Sequence, residues 1–262
     1  MPHDRAAMPA LFVGHGNPMH AITESAYSHG WRDLAGRLPT PRAIVAVSAH
    51  WYTQGTAVTT SARPRTIHDF GGFPRALHEV QYPAPGDPEL ARRIIELGRP
   101  VRITGTDEWG LDHGTWSVLV HMYPSAAVPV VQLSMDARLP AAAHYALGQR
   151  LGALRDDGVL VLGSGNVVHN LGLADWQPEA PARSWATEFQ TFVRRQVEAG
   201  DDQPLIDYTG LGEAAQLSVP TAEHYLPLLY VLGLRRPGER ASTCLDSVDL
   251  GSIGMLCVAV GL

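Results

Sequence analysis

Short apolar runs, each cut off by glycine, histidine or a small polar residue, constrain this chain more than any other feature. Pro9-Ala10-Leu11-Phe12-Val13 stops at Gly14-His15-Gly16-Asn17-Pro18, and Ala43-Ile44-Val45-Ala46-Val47-Ser48 stops at Ala49-His50-Trp51. Gly158-Val159-Leu160-Val161-Leu162-Gly163 stops at Ser164-Gly165-Asn166-Val167-Val168-His169. Runs this short, apolar at successive positions, read as strands buried on both faces. Further strands are expected over 101–104, 128–134, 241–245 and 255–260. Helical patterns separate them: 31–38; 87–97, opened by an Asp87 cap, Pro88 and Glu89; from a Thr115 cap to Tyr123; 140–156; 183–197; and a last long helix capped by Thr221, with Pro227 in its interior or at a kink. Alternating strands and helices predict an α/β fold: one three-layer domain over residues 1–262, with a central, largely parallel or mixed sheet flanked by helices.

With 262 residues, 45% hydrophobic and 18% charged, the chain can bury one sizeable core. Its formal net charge of -6 gives no electrostatic footprint for nucleic acid or for an anionic membrane surface. No stretch has the roughly 20 apolar residues of a membrane span, and Met1-Pro2-His3-Asp4-Arg5 leads into a strand without a signal-peptide core. Two cysteines, Cys244 and Cys257, offer neither a disulfide framework nor a thiolate cage. A reducing cytoplasm is therefore the expected compartment, and no oligomeric state is implied. The segment 52–86, rich in Gly, Pro and aromatics, has the length and irregularity of a stretch that lines or covers a site.

Of the 12 histidines, His15, His50 and His169 stand at or just beyond the carboxyl ends of predicted strands, where ligands bind in open α/β sheets. His224, at the start of the last helix, would complete a nitrogen-rich set without a thiolate, suited to Fe(II), Zn or Mn. Each of these histidines alone is compatible with a hydrogen-bonded core or loop residue. Four together point to a metal site. His3, His20, His29, His78, His121 and His144 are assigned to surface or general packing; Asp69 and Arg75 are read as solvated loop charge, with pairing to a substrate amino or carboxylate group as the alternative.

The segments Gly14-His15-Gly16-Asn17-Pro18, Ser48-Ala49-His50-Trp51, Ile67-His68-Asp69-Phe70-Gly71-Gly72-Phe73-Pro74, Gly110-Leu111-Asp112-His113-Gly114-Thr115-Trp116, Ser164-Gly165-Asn166-Val167-Val168-His169-Asn170 and Pro220-Thr221-Ala222-Glu223-His224-Tyr225-Leu226-Pro227-Leu228 resemble class III extradiol ring-cleavage dioxygenases, and within them the 4,5-DOPA dioxygenase branch. The resemblance runs in order along nearly the whole chain. It implies a mononuclear non-haem Fe(II) enzyme that opens a small, DOPA-like catechol with O₂; Zn would also enter the same site. It implies His15, His50 and His224 as metal ligands and His169 as the acid/base residue, with His169 as a fourth ligand and Glu223 as a replacement for His224 left open. His113 matches a histidine on the substrate side. His68, Trp51, Phe73 and Tyr225 are the candidate substrate contacts, with ordinary packing an equal alternative for Trp51 and Phe73. A zinc hydrolase built on the same histidines, or a non-catalytic metal-binding member of the fold, are the competing readings.

Overall fold

The computed structural model describes residues 7–177 and 179–262; Met1 to Arg5, with His3, lie outside them. Strands β1 (Ala10–Gly14), β2 (Ala43–Thr53), β3 (Thr56–Thr59), β4 (Ile103–Thr106), β5 (Val130–Asp136), β6 (Val159–Gly165) and β7 (Ala241–Cys244) are followed by a small hairpin of β8 (Val248–Asp249) and β9 (Ile253–Gly254), then by β10 (Cys257–Val260). All but the hairpin form one sheet in the order β4-β3-β5-β2-β6-β1-β10-β7. Its centre, β5-β2-β6-β1, is parallel, while β3 on β5 and β10 between β1 and β7 run antiparallel. The sheet is thus mixed, and helices cover both faces.

Strand alternation explains the two cores. Along β2, Ala43, Val45 and Val47 enter one core with α3 (Pro88–Leu97), α5 (Ala141–Arg150), α6 (Ser184–Ala199) and α9 (Leu226–Gly233). Ile44 and Ala46 enter the other, with Trp31 and Leu34 of α1 (Ala26–Arg37) and Trp116 and Leu119 of α4 (His113–Met122). Successive side chains of one strand serve opposite faces, so a strand covered on both sides reads as an unbroken apolar run. Central β6 is buried at every position.

Three local expectations are corrected. The cap of α4 is Asp112, whose carboxylate accepts from the Thr115 backbone N–H at 3.1 Å, while the Thr115 hydroxyl donates to Gln132. The last helix starts at Leu226, so Pro227 occupies its first turn, where a missing N–H costs nothing, and the Thr221 hydroxyl bonds Glu223 instead of capping. The irregular 52–86 segment also contains β3 and the short turn of helix α2 (Arg75–His78). Among the described residues no helix is long and apolar enough to cross a membrane.

Candidate metal centre

Four histidines reach one cavity of about 360 Å³ at the carboxyl end of the parallel strands. His15 follows β1 directly, and its N–H donates to the Gly165 carbonyl at the end of β6 at 3.0 Å. His50 sits within β2. His169 lies beyond β6, its N–H donating to Ser218 O at 2.8 Å. His224 stands in the turn before α9, and its carbonyl accepts from Asn166 N–H at 2.9 Å. Gly165 lets that turn approach, because a side chain there would strike the His224 carbonyl. His113, the first residue of α4, joins them; a Cβ at the next residue, Gly114, would fall 2.8 Å from the His50 ring.

Outer partners aim three of these rings. His15 Nδ1 lies 3.0 Å from Ser164 Oγ, and Ser164 spends its only proton on the Gly114 carbonyl. His15 Nδ1 must therefore carry the hydrogen and donate, which leaves a lone pair on Nε2 facing the cavity. His50 Nδ1 lies 3.4 Å from Asp69 Oδ2, and His224 Nδ1 lies 3.3 Å from Glu223 Oε1. The His15 and His50 Nε2 atoms are 3.1 Å apart, and His224 Nε2 is buried with no protein partner.

A cation suits this donor set: carboxylate or hydroxyl behind each imidazole, lone pairs in front. Ring centroids of His15–His50, His15–His224 and His50–His224 are 5.0, 5.4 and 5.1 Å apart. Three imidazoles bound tetrahedrally to one ion at about 2.0–2.1 Å would have centroids about 5 Å apart. By ligand-atom spacing alone, His15, His50 and His113 form one group and His169, Glu223 and His224 another, each within 4.8 Å. The His169 and His224 rings stack at 3.4 Å with planes 7° apart.

Asp69, expected to be solvated, is instead a hub. Its Oδ1 accepts the His113 backbone N–H at 2.9 Å, and its Oδ2 is 3.0 Å from His113 Nδ1 as well as facing His50. Burial pushes its carboxyl up, but hydrogen bonding to His113 and the neighbouring imidazoles outweigh this and hold it below the usual range. Glu223, left open above as a replacement for His224, lies in the turn before α9; it accepts from the Thr221 hydroxyl at 2.7 Å and backs His224. Behind β2, buried Asp112 accepts from Ser48 Oγ at 2.7 Å and from Gln132, and burial raises its carboxyl to about 6.

The candidate substrate contacts divide. Phe73 lines the cavity beside Phe70. Trp51 does not: strand alternation sends it away from His50, to stack on Trp109 at 5.5 Å. Tyr225 is fully buried, its hydroxyl donating to Leu205 O at 2.9 Å and its ring on Tyr208. His68 donates to Val80 O at 2.9 Å and packs near Trp116, behind the cavity wall. Arg75 pairs with Glu79 at the surface.

Burial, reinforced by neighbouring histidines, holds His15 and His224 well below the usual imidazole range, and burial lowers His169 to about 4. These rings stay neutral in the folded protein at pH 7, the form that binds a metal. Their unfolded counterparts take up protons near 6.5, so the unfolded state binds more protons between about 4 and 6.5 and stability falls as pH drops through that window. His169 alone contributes on the order of 3 kcal/mol of that loss. Asp112 acts oppositely between about 4 and 6, but as one group against several. The melting temperature of metal-free protein should therefore decline steadily from pH 7 to 4.5. A flat profile would contradict the buried, neutral cluster.

A family model described as "Catalytic LigB subunit of aromatic ring-opening dioxygenase" matches residues 8–238. The chain is 48% identical over 258 residues to "4,5-DOPA dioxygenase extradiol" of Escherichia coli (strain K12), covering 97% of this chain and 95% of that one. It is 37% identical over 248 residues to the protein of the same description from Beta vulgaris, covering 92% of each. A crystal structure of an uncharacterized protein from Escherichia coli K12 superposes with a TM-score of 0.84 at 44% identity, covering 97% of this chain and 99% of that one.

Proposed function

Because the chain belongs to the family of catalytic LigB subunits of aromatic ring-opening dioxygenases, we propose that it opens a small catechol beside its two hydroxyls with O₂, at one metal ion held by His15, His50 and His224. Residues 1–262 act as one catalytic domain in this reading. The observation that carries it is the convergence of three imidazoles whose Nδ1 atoms are occupied by Ser164, Asp69 and Glu223, leaving Nε2 to the cavity. Relatives are described as acting on DOPA, so DOPA-like catechols head the candidate substrates. Fe(II) is the expected ion and Zn its competitor for the same nitrogens. A reducing cytoplasm suits both a ferrous ion and the two free thiols.

The bound ion would supply a positive centre that acidifies the catechol hydroxyls and a redox partner for O₂. His169 takes the hydroxyl proton. Its ring stacks on His224, and one ion cannot lie in two parallel ring planes 3.4 Å apart, which supports His169 as acid/base rather than fourth ligand. Burial leaves it neutral and able to accept, and a catecholate brought into the cavity adds the negative charge that raises its basicity. The same imidazole returns that proton to the ring-opened product; His113, held by Asp69 on both its backbone and its ring, faces the same space and is the alternative donor once it has itself taken up a proton. Phe70 and Phe73 wall the cavity and exclude water from the reacting carbons.

The outer partners give a direct test. Ser164→Ala removes the acceptor that fixes the His15 tautomer, and Asp69→Asn removes the charge behind His50. Each should weaken Zn or Co binding by about 10–100-fold in chelator competition. Unchanged affinity in both would remove the support for this ligand set. Oxygen uptake by Fe(II)-loaded protein across a panel of catechols tests the reaction itself.

A further inference from the structure

The two cysteines, unpaired by any spacing along the chain, are brought together by the sheet. Cys257 opens β10 and Cys244 closes β7, and the antiparallel register sets them directly opposite each other. The same register continues to Gly261 opposite Arg240, and the Gly261 N–H donates to the Arg240 carbonyl at 3.1 Å. Hydrogen-bonded pairs alternate along an antiparallel ladder, so counting back in twos makes Cys257 and Cys244 such a pair, with Cα atoms about 5.5 Å apart. That lies inside the window of about 4.4–6.8 Å that a disulfide bridges. Both side chains project into the core that holds Trp31, and each thiol is the other's hydrogen-bond partner. The pair is the last of its ladder, on edge strand β7, where the backbone can adjust to bring the two side chains closer.

We infer that Cys244 and Cys257 are an oxidisable dithiol: hydrogen peroxide converts Cys244 to a sulfenic acid, and Cys257 resolves it to a reversible intrachain disulfide. The roles follow from exposure. Cys257 is fully buried, whereas Cys244 is partly exposed at the sheet edge. The Cys257 thiol and Arg37 hold the Cys244 thiol below its usual range against the opposing effect of burial, and burial pushes the Cys257 thiol well above it. Cys244 therefore presents the larger thiolate fraction to a small oxidant. In the first step the peroxide O–O bond breaks, an S–O bond forms on Cys244, and the Cys244 proton leaves with the other oxygen as water. In the second, the Cys257 sulfur displaces hydroxide from Cys244, an S–S bond forms, and the Cys257 proton completes a second water. The dithiol loses two electrons and the peroxide gains them. This chemistry is independent of the catechol reading, since neither thiol lines the cavity.

In the test, metal-free full-length protein is treated with hydrogen peroxide, denatured, alkylated and digested with trypsin. No basic residue follows Arg240, so both cysteines fall in the single peptide 241–262. In the wild type that peptide should lose the mass of two hydrogens together with both alkylation sites, and dithiothreitol should restore them. In Cys257→Ala, Cys244 should instead pass on to the sulfinic acid, which dithiothreitol does not reverse. In Cys244→Ser, Cys257 should be oxidised at least about tenfold more slowly than the wild-type pair; oxidation at the wild-type rate would overturn the assigned roles. The inference fails if wild-type Cys244 goes to sulfinic acid while Cys257 stays alkylatable, or if the disulfide joins two chains. It fails equally if both thiols survive peroxide that oxidises free cysteine under the same conditions. The wild-type peptide map decides the matter even if neither variant folds.

Discussion

Replacing His224 with alanine should strip the protein of its metal. His224 Nε2 is a buried lone pair without a protein partner, at the apex of a near-equilateral set of rings. Losing one of three neutral ligands costs more than losing an outer partner, so affinity should fall by more than about 100-fold, and oxygen uptake with it. Glu223→Gln is the informative companion. If Glu223 only orients the imidazole through Nδ1, the glutamine variant keeps its metal with affinity reduced by about 10–100-fold. Retention of metal by His224→Ala and its loss from Glu223→Gln would make the carboxylate the ligand and reverse the assignment. Metal content by atomic spectroscopy and affinity by chelator competition read both variants.

His169→Ala should separate chemistry from binding. With His169 outside the ligand planes, the variant should hold its full metal complement, while kcat falls by about 10²–10⁴-fold, the usual worth of a positioned acid/base group. Removing a ring stacked at 3.4 Å also loosens His224, so a small decrease in metal affinity accompanies the loss of turnover. Complete loss of metal would place His169 among the ligands. Wild-type turnover in the metal-loaded variant would transfer the proton step to His113.

Much of this site was legible because its histidines follow strands that the sequence marks strongly. Apolar runs ending in glycine identify β1, β2 and β6, and the crevice beyond their carboxyl ends is where His15, His50 and His169 meet. Strand β3, which lies between β4 and β5, was not legible: four residues inside a long irregular segment carry too little periodicity. Trp51 and Tyr225 adjoin candidate ligands in sequence, yet neighbours along a strand or turn point apart, and both side chains leave the cavity. The partners that aim the imidazoles were least visible. Ser164 meets His15 across 149 residues, with no local pattern to announce the contact. Asp69 lies in a polar loop where solvated charge is the ordinary outcome. Only folding brings its carboxylate between His50 and His113.

The proposed centre is one ion, held by His15, His50 and His224, at which a catechol is opened by O₂. Its most direct test is anaerobic reconstitution with Fe(II), followed by oxygen-electrode measurement on a catechol panel with mass analysis of the product. The expected result is oxygen consumed in equal amount to catechol, both oxygen atoms retained in a yellow ring-opened acid-aldehyde, and no turnover without O₂. Absence of oxygen uptake across the whole panel, or turnover of a hydrolysable substrate by the Zn-loaded protein independent of oxygen, would contradict it.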